Sequence, residues 1–253
     1  MGMRAVTIIP ITGMPEVRPG DDLVGLVLGA VAAIGEELHD DDVLSIAQKV
    51  VSKAEGRIRR LADVTPGPEA LRMVREAPEK DARVIQVVLD ESKRVLRWER
   101  GILITETHHG FVCANAGVDR SNAGAADTLI LLPVDPDASA ESLRQAFRER
   151  AGRSVAVVIT DTFGRAWREG HVNVAIGIAG LPALERYMGQ VDPQGYELRV
   201  TEMAVADEVA AASELVQRKL DRCPVALVRG MEPSRLSEPA TTYVRPPERD
   251  LFR

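Results

Sequence analysis

The sequence predicts a mixed α+β fold with largely antiparallel sheets and flanking helices. Along its 253 residues, apolar runs of strand length alternate with helical patterns, but not as a regular β-α-β repeat. Between residues 95 and 134, several short apolar runs are joined by glycine-containing turns, as in an antiparallel meander. We therefore expect one unit over residues 1–253. Two subdomains are an alternative, because the meander could be an inserted domain.

Before the meander, the apolar spacing predicts a strand, a helix, a short strand and a long amphipathic helical segment. These cover residues 6–11, 23–38 (ending near Gly35), 43–47 and 67–93. After the meander, the pattern predicts a helix with Ser139 as its N-cap, a strand, a strand around Leu198, an alanine-rich helix and a last strand. Their bounds are 140–150, 155–160, about 203–220 and 225–228, with none assigned around Leu198.

Composition excludes several classes of protein. The net charge is -6 with both signs interspersed, so the chain has no broad basic face for nucleic acid. No apolar run approaches the ~20 residues that a membrane span needs, and the apolar stretch near the N-terminus is too short for a signal peptide. Cys113 and Cys223 lie far apart, which argues against a zinc cluster and a disulfide framework. We expect a cytoplasmic protein.

Two polar stretches place an aspartate just after an apolar run. Asp119 lies in CANAGVDRSNAG, and Asp161 follows the run VVIT, with Thr162 beside it. Carboxylates mounted at strand ends can share Mg2+ or Mn2+, and such ions bridge phosphate oxygens. For Asp119 the alternative is an Asx-turn in a glycine-rich loop.

Basic residues accompany both stretches. Arg165 and Arg168 follow Asp161 and could recognise phosphate or carboxylate; the alternative is a solvated surface pair. If the segment after residue 47 is helical, Lys49 and Lys53 lie on one face and could hold phosphates; the alternative is an exposed basic stripe. His108 and His109 are expected in a loop or at an edge. Neither a P-loop nor a dinucleotide-binding glycine motif occurs.

Eight longer stretches carry a resemblance to a known family. In chain order they are GMPEVRPGDDL, QKVVSKAEGR, LITET, CANAGVDRSN, LLPVDPDASA, ITDTFGRAWREG, VAIGIAGL and VTEMAVADEVAAASELV. Together they closely resemble the coenzyme F420-0:L-glutamate ligase family, the gamma-glutamyl ligases that complete the deazaflavin coenzyme F420. The resemblance runs from about Ile11 to Gly230 and implies the gamma-glutamyl ligase-like fold, an intertwined homodimer and the single-domain form without a C-terminal flavin-binding domain.

The resemblance also implies a reaction and a set of site residues. The expected activity is GTP-dependent addition of L-glutamate to F420-0, followed by gamma-linked additions, with two Mg2+ or Mn2+ ions per site and K+ as a further candidate. Asp119, Asp161 and Thr162 resemble the metal ligands. The residues expected to contact the nucleotide are Met14, Pro15, Glu16, Val17, Gln48, Lys49, Lys53, Asn122 and Lys219. The segment around residues 214–221 is expected to close over the nucleotide, with Lys219 supplying a charge where related sequences carry an amide.

The expected route is phosphoryl transfer from GTP to the acceptor carboxylate, then attack by the glutamate amine on the acyl phosphate. Lys49 or Lys53 would neutralise the developing charge. Arg165 and Arg168 are the candidates for gripping F420-0. Two other functions stay open: a metal-dependent nucleotide phosphohydrolase, in which the aspartates activate water, and a non-catalytic nucleotide-binding subunit.

Overall fold

The mixed α+β class is confirmed by the computed structural model, which describes residues 5–120, 127–231 and 236–250. Within these ranges the chain forms twelve strands and six α-helices. The strands are β1 (Thr7–Ile11), β2 (Val43–Ala47), β3 (Ile58–Arg60), β4 (Ser92–Glu99), β5 (Ile102–Thr107), β6 (Val112–Ala114), β7 (Thr128–Ile130), β8 (Ala156–Arg165), β9 (Arg168–Ala179), β10 (Glu185–Arg186), β11 (Glu202–Met203) and β12 (Val225–Arg229). The helices are α1 (Leu23–Ala33), α2 (Gln48–Ala54), α3 (Pro68–Glu76), α4 (Ala82–Asp90), α5 (Pro136–Ala151) and α6 (Val205–Gln217).

The main sheet has five strands in the order β1-β12-β2-β8-β9. All of its pairings are antiparallel except that between β2 and β8, which is parallel. The first five residues of β8 are all buried, as expected for a strand covered on both faces. Helices α1, α5 and α6 supply apolar side chains to the same core.

The parallel pair β2–β8 determines where the main sheet narrows to the two strands β8 and β9. Strand β2 ends at Ala47, opposite Thr160 of β8, and α2 begins at the next residue. Strand β8 continues to Arg165 and pairs there only with β9. Asp161 and Thr162 were expected just past the end of a strand, and that placement is wrong. They lie inside β8, in a hairpin whose register shifts by one residue at Ile176.

A second group of elements, here called the satellite layer, consists of α3, α4 and the sheet β4-β5-β6. It encloses a small apolar cluster of its own around Met73, Ile85 and Leu103. The expected meander is confirmed for these three strands and wrong for its last apolar run, TLILLPV at residues 128–134, because β7 pairs with β3 in a separate two-stranded sheet. The meander is therefore not part of the main sheet.

Three other expected elements differ from the structure. The helical segment 67–93 is two helices, because residues 77–81 include Pro78, which cannot continue a helix, and β4 already begins at Ser92. Helix α5 begins one turn earlier than expected, capped by Asp135, which accepts from the N–H of Ala138. Leu198 is not in a strand, and the short strand of that region is β11.

Helix α6 ends at Gln217, three residues before the expected end, and β12 confirms the last predicted strand. None of the helices in the described ranges is both long and apolar enough to span a lipid bilayer. Cys113 and Cys223 are buried free thiols, as the absence of a disulfide pattern indicates.

Candidate active site

A cleft of about 830 Å3 opens where β2 ends and β8 continues alone. Its walls come from the loop after β1, the start of α2, the exposed half of the β8–β9 hairpin and the C-terminal end of α6. Almost all of the described residues expected in the site line it: Met14, Pro15, Glu16, Val17, Gln48, Lys49, Lys53, Asp119, Asp161, Thr162 and Lys219. Asn122 lies outside the described residues, and Arg165 does not line the cleft.

Two carboxylates lie near each other on one side of the cleft. Asp119 is held in place by a two-way backbone bridge to Ile130, and Asp161 is held by the β8–β9 ladder. Burial raises the pKa of Asp161 to about 6; the N–H of Thr162 opposes this, and the charge of Asp119 adds to it. Lys49 Nζ lies 2.6 Å from Asp119 Oδ2 and also lowers the pKa of Asp161. This side of the cleft therefore attracts cations.

Helix α2 carries two lysines into the cleft. Lys49 and Lys53 are four residues apart within one helix, which confirms that they share a face. Lys53 is almost fully buried and forms an ion pair with Glu16, from the loop after β1. A buried ammonium needs such a partner, because desolvation disfavours its charged form.

The other side of the cleft contains a closed ring of four polar side chains. Lys219 Nζ donates to Thr162 Oγ1 at 2.5 Å, and the Thr162 hydroxyl donates to Asn173 Oδ1 at 2.7 Å. Asn173 Nδ2 donates to Glu214 Oε2 at 3.0 Å, and Glu214 Oε1 lies 3.6 Å from Lys219 Nζ. Sequence reasoning missed Asn173, although the polar–apolar alternation of residues 171–174 is a strand signal that could have identified β9.

Three buried polar atoms of the cleft have no hydrogen-bond partner among the described residues. They are Gln48 Nε2, Thr160 Oγ1 and Gln217 Oε1. Gln217 is held by its other amide atom, since Nε2 donates to the carbonyl oxygens of Ser45 and Pro224. Leaving a buried polar atom without a partner costs about 1–3 kcal/mol. These donors and acceptors are therefore available to a bound ligand.

The two arginines after Asp161 lie elsewhere. Arg165 and Arg168 are exposed at the tip of the β8–β9 hairpin, and Arg165 Nη2 donates to the Glu169 carbonyl oxygen at 2.7 Å. The hairpin instead places His171, to which the sequence assigned no role, in the cleft. His108 and His109 form a turn after β5, as expected.

The donor chemistry fits a single hard cation between the two carboxylates. Asp119 and Asp161 come from different elements and offer oxygen atoms, the ligands that Mg2+ and Mn2+ prefer. No group of three or more His, Cys, Asp and Glu side chains that could hold a metal occurs in the described part of the chain. The remaining ligands would thus come from water or from a bound phosphate, as is usual for Mg2+. The Thr162 side does not fit a second ion in the same way, since its hydroxyl is bonded to an ammonium.

Nearly the whole chain is similar to proteins of one known family. Residues 12–230 match the model of the F420-0:gamma-glutamyl ligase family. The coenzyme F420:L-glutamate ligase of Methanothermobacter thermautotrophicus is 42% identical over 98% of this chain and 99% of its own. The enzyme of the same name from Methanopyrus kandleri is 44% identical over 100% and 99%, and that from Haloarcula marismortui is 41% identical over 97% and 95%. This chain therefore belongs to the F420-0:gamma-glutamyl ligase family.

Proposed function

We propose that this chain is a GTP- and divalent-metal-dependent ligase that joins L-glutamate to F420-0 and then adds further glutamates through gamma linkages. Family membership and the names of the relatives support a ligase of coenzyme F420 biosynthesis. The observation that carries the proposal is the cleft itself. It brings together a carboxylate pair for one cation and three lysines for phosphates.

The proposed reaction has two steps. A carboxylate oxygen of F420-0 attacks the γ-phosphorus of GTP, the bond to the bridging oxygen breaks, and GDP leaves. The glutamate amine then attacks the acyl carbon, phosphate leaves, and the amine nitrogen loses a proton. Phosphoryl transfer depends mainly on positioning and on stabilising charge, so fixed cations are what such a cleft must provide.

Each side chain of the cleft has a proposed part in this reaction. Asp119 and Asp161 would hold the divalent ion, which neutralises phosphate charge when it is bound. Lys53, whose position is fixed by burial and by Glu16, contacts the transferred phosphate. Lys49 pairs with Asp119. When the divalent ion binds Asp119, the Lys49 ammonium would bind a phosphate oxygen in place of that carboxylate. The residues 14–17 and Gln48 border the nucleotide.

Arg165 and Arg168 remain proposed contacts of the acceptor. Both guanidinium groups are exposed at the hairpin tip, outside the cleft. F420-0 is a long molecule with a phosphodiester, and an exposed arginine can bind that group by two parallel hydrogen bonds. Their replacement would then raise the KM for F420-0 and leave the KM for GTP unchanged.

We also propose a homodimer in the cytoplasm. Apolar side chains stand in solvent near the hairpin tip and in the segment between β10 and β11, with Trp167 80% and Val200 86% exposed. A dimer interface would cover such side chains. Sedimentation of the wild type and of Trp167→Glu and Val200→Glu measures this. Equal masses for all three proteins would remove the support from these two residues.

The experiment that tests the reaction measures GDP release with GTP and Mn2+, with and without F420-0 and L-glutamate, followed by mass analysis of the deazaflavin. The ligase releases GDP only with both substrates, and its product is heavier by whole glutamyl units. GDP release without these substrates would identify a phosphohydrolase. If no GDP is released under any condition, the chain is a nucleotide-binding subunit. Asp161→Asn should abolish turnover, while Asp63→Asn, an exposed carboxylate outside the cleft, should not.

A further inference from the structure

The ring on the Thr162 side of the cleft contains a positive charge that belongs to the chain itself. Lys219 lies two residues beyond the end of α6, where the partial negative charge of the helix C-terminus favours a cation. Its ammonium contacts the Thr162 hydroxyl at 2.5 Å and lies 3.6 Å from the Glu214 carboxylate. A lysine is thus placed on the same oxygen that the sequence predicts as a metal ligand.

The hydrogen bonds of the ring leave little freedom for another arrangement. The Thr162 hydroxyl proton is directed to Asn173 Oδ1, so the Thr162 oxygen accepts from Lys219. The second Asn173 group donates to one Glu214 oxygen, and the other Glu214 oxygen faces Lys219. Asn173 is buried, which holds the centre of the ring in place. Each of the four side chains therefore contacts two others of the ring.

A divalent ion on the same oxygens would have to displace this ammonium or lie directly beside it. A divalent ion in direct contact with the ammonium would be repelled by its positive charge. A hydroxyl that already accepts a hydrogen bond from a charged donor is also a poorer metal ligand. The carboxylate pair at Asp119 and Asp161 is different, because both of its ligands carry a negative charge, which the ammonium groups of Lys49 and Lys219 oppose. The two sides of the cleft thus differ in the cation that they accept.

We propose that the ammonium of Lys219 is the resident cation of the Thr162 side, and that this cleft takes one divalent ion, at Asp119 and Asp161, in place of two. The side chain of Lys219 is 62% exposed, so its remaining N–H bonds can reach an anionic ligand in the cleft. In the proposed ligase, which this inference takes as its setting, Lys219 supplies a phosphate contact that does not depend on metal concentration. Glu214, Thr162 and Asn173 act as positioning residues for it.

The test counts bound Mn2+ per chain by electron paramagnetic resonance of the free ion, with Mn2+ alone and with a non-hydrolysable GTP analogue. The proposal expects one Mn2+ per wild-type chain. Lys219→Gln removes the charge and offers an amide oxygen to the Thr162 side, so it should bind a second Mn2+ or bind Mn2+ there at least about tenfold more tightly. Lys219→Arg keeps the charge and should bind one.

Arg218→Gln is the matched control, because it removes the neighbouring positive charge of the cleft, which pairs with Asp221 and not with Thr162. It should leave the count at one. Two Mn2+ per wild-type chain, no Mn2+ at all, or an unchanged count and affinity in Lys219→Gln would overturn the inference. An equal gain in Arg218→Gln would do so as well. The Mn2+ count uses neither F420-0 nor glutamate and is therefore independent of turnover. If the protein binds one Mn2+ but forms no product in the GDP-release experiment, the proposed function is refuted and this inference stands.

Discussion

Among the described residues, more buried polar atoms lack a hydrogen-bond partner in the cleft than in the satellite layer, where Thr105 Oγ1 lacks one. In the satellite layer, the buried carboxylate of Glu106 is met by Arg94 at 2.7 Å and by Lys93 at 3.2 Å. In the cleft, Gln48, Thr160 and Gln217 each keep a buried polar atom without a partner among the described residues. Stability favours the first arrangement and opposes the second. A bound ligand that pairs with these atoms would relieve this cost.

The largest expected effect separates the two regions by function. Asp119→Asn should reduce turnover by more than about a hundredfold, since replacing even the outer partners of metal ligands costs 10- to 100-fold. Its partly exposed ion pair with Lys49 contributes at most about 1 kcal/mol, so the free energy of unfolding should change little. Steady-state kinetics and urea denaturation measure both quantities. Turnover above a tenth of the wild-type value would contradict a role in metal binding.

The next largest effect falls on stability alone. Met73 is fully buried in the apolar cluster of the satellite layer, and Met73→Ala should lower the free energy of unfolding by about 2–5 kcal/mol. The kcat of the folded fraction should stay at the wild-type value, because the cluster does not border the cleft. Chemical denaturation and activity at low temperature test this. A change in kcat without a loss of stability would show that the satellite layer affects the chemistry of the cleft.

A matched pair of hydroxyl deletions gives a smaller effect. Thr160 in the cleft and Thr105 in the satellite layer both bury an Oγ1 atom without a partner among the described residues. Thr160→Val and Thr105→Val should each raise the free energy of unfolding by about 1 kcal/mol. Only Thr160→Val should weaken nucleotide binding, measured by titration calorimetry. Equal nucleotide affinity in both variants would show that the Thr160 hydroxyl is not a ligand contact.

The smallest effect is a pH dependence in the satellite layer. The hydrogen bond from Arg94 holds the pKa of Glu106 below its usual value of 4.5, with Lys93 assisting and burial opposing. Its contribution to stability is therefore complete above pH 4.5 and is lost as the pH falls through the lowered value. The difference in unfolding free energy between the wild type and Glu106→Gln should be greatest near neutral pH and shrink in acid. A constant difference would contradict the paired state of Glu106.

Local signals in the sequence predicted much of the fold. The apolar runs and caps predicted β1, α1, β2 and β12 within a few residues, and the turn chemistry predicted three strands of the satellite sheet. The errors have identifiable causes. Pro78 divides one helical pattern into two helices, and β7 leaves the meander for a distant partner, β3, which no local pattern could predict.

The candidate site was predicted where its residues share a motif. Asp119, Asp161 and the α2 lysines meet in one cleft, as their neighbours in sequence suggested. The second half of the cleft depends on cross-strand and helix contacts that join residues far apart in sequence. Asn173 meets Thr162 across the hairpin, and Glu214 reaches Asn173 from α6. Sequence spacing carries no signal for such contacts.

The register shift of the β8–β9 hairpin has a consequence for how this family can change in length. Ile176 is skipped in the pairing, so that Ala175 lies opposite Thr160 and Asn173 opposite Thr162. Deleting Val174 while this shift is kept would place Val172 opposite Thr162, turn Asn173 to the other face of the sheet and break its bond to Thr162. Insertions at the tip between Arg165 and Arg168 do not alter that pairing. We expect natural length variation in this hairpin at its tip, with the bulge kept at a fixed distance from the cleft.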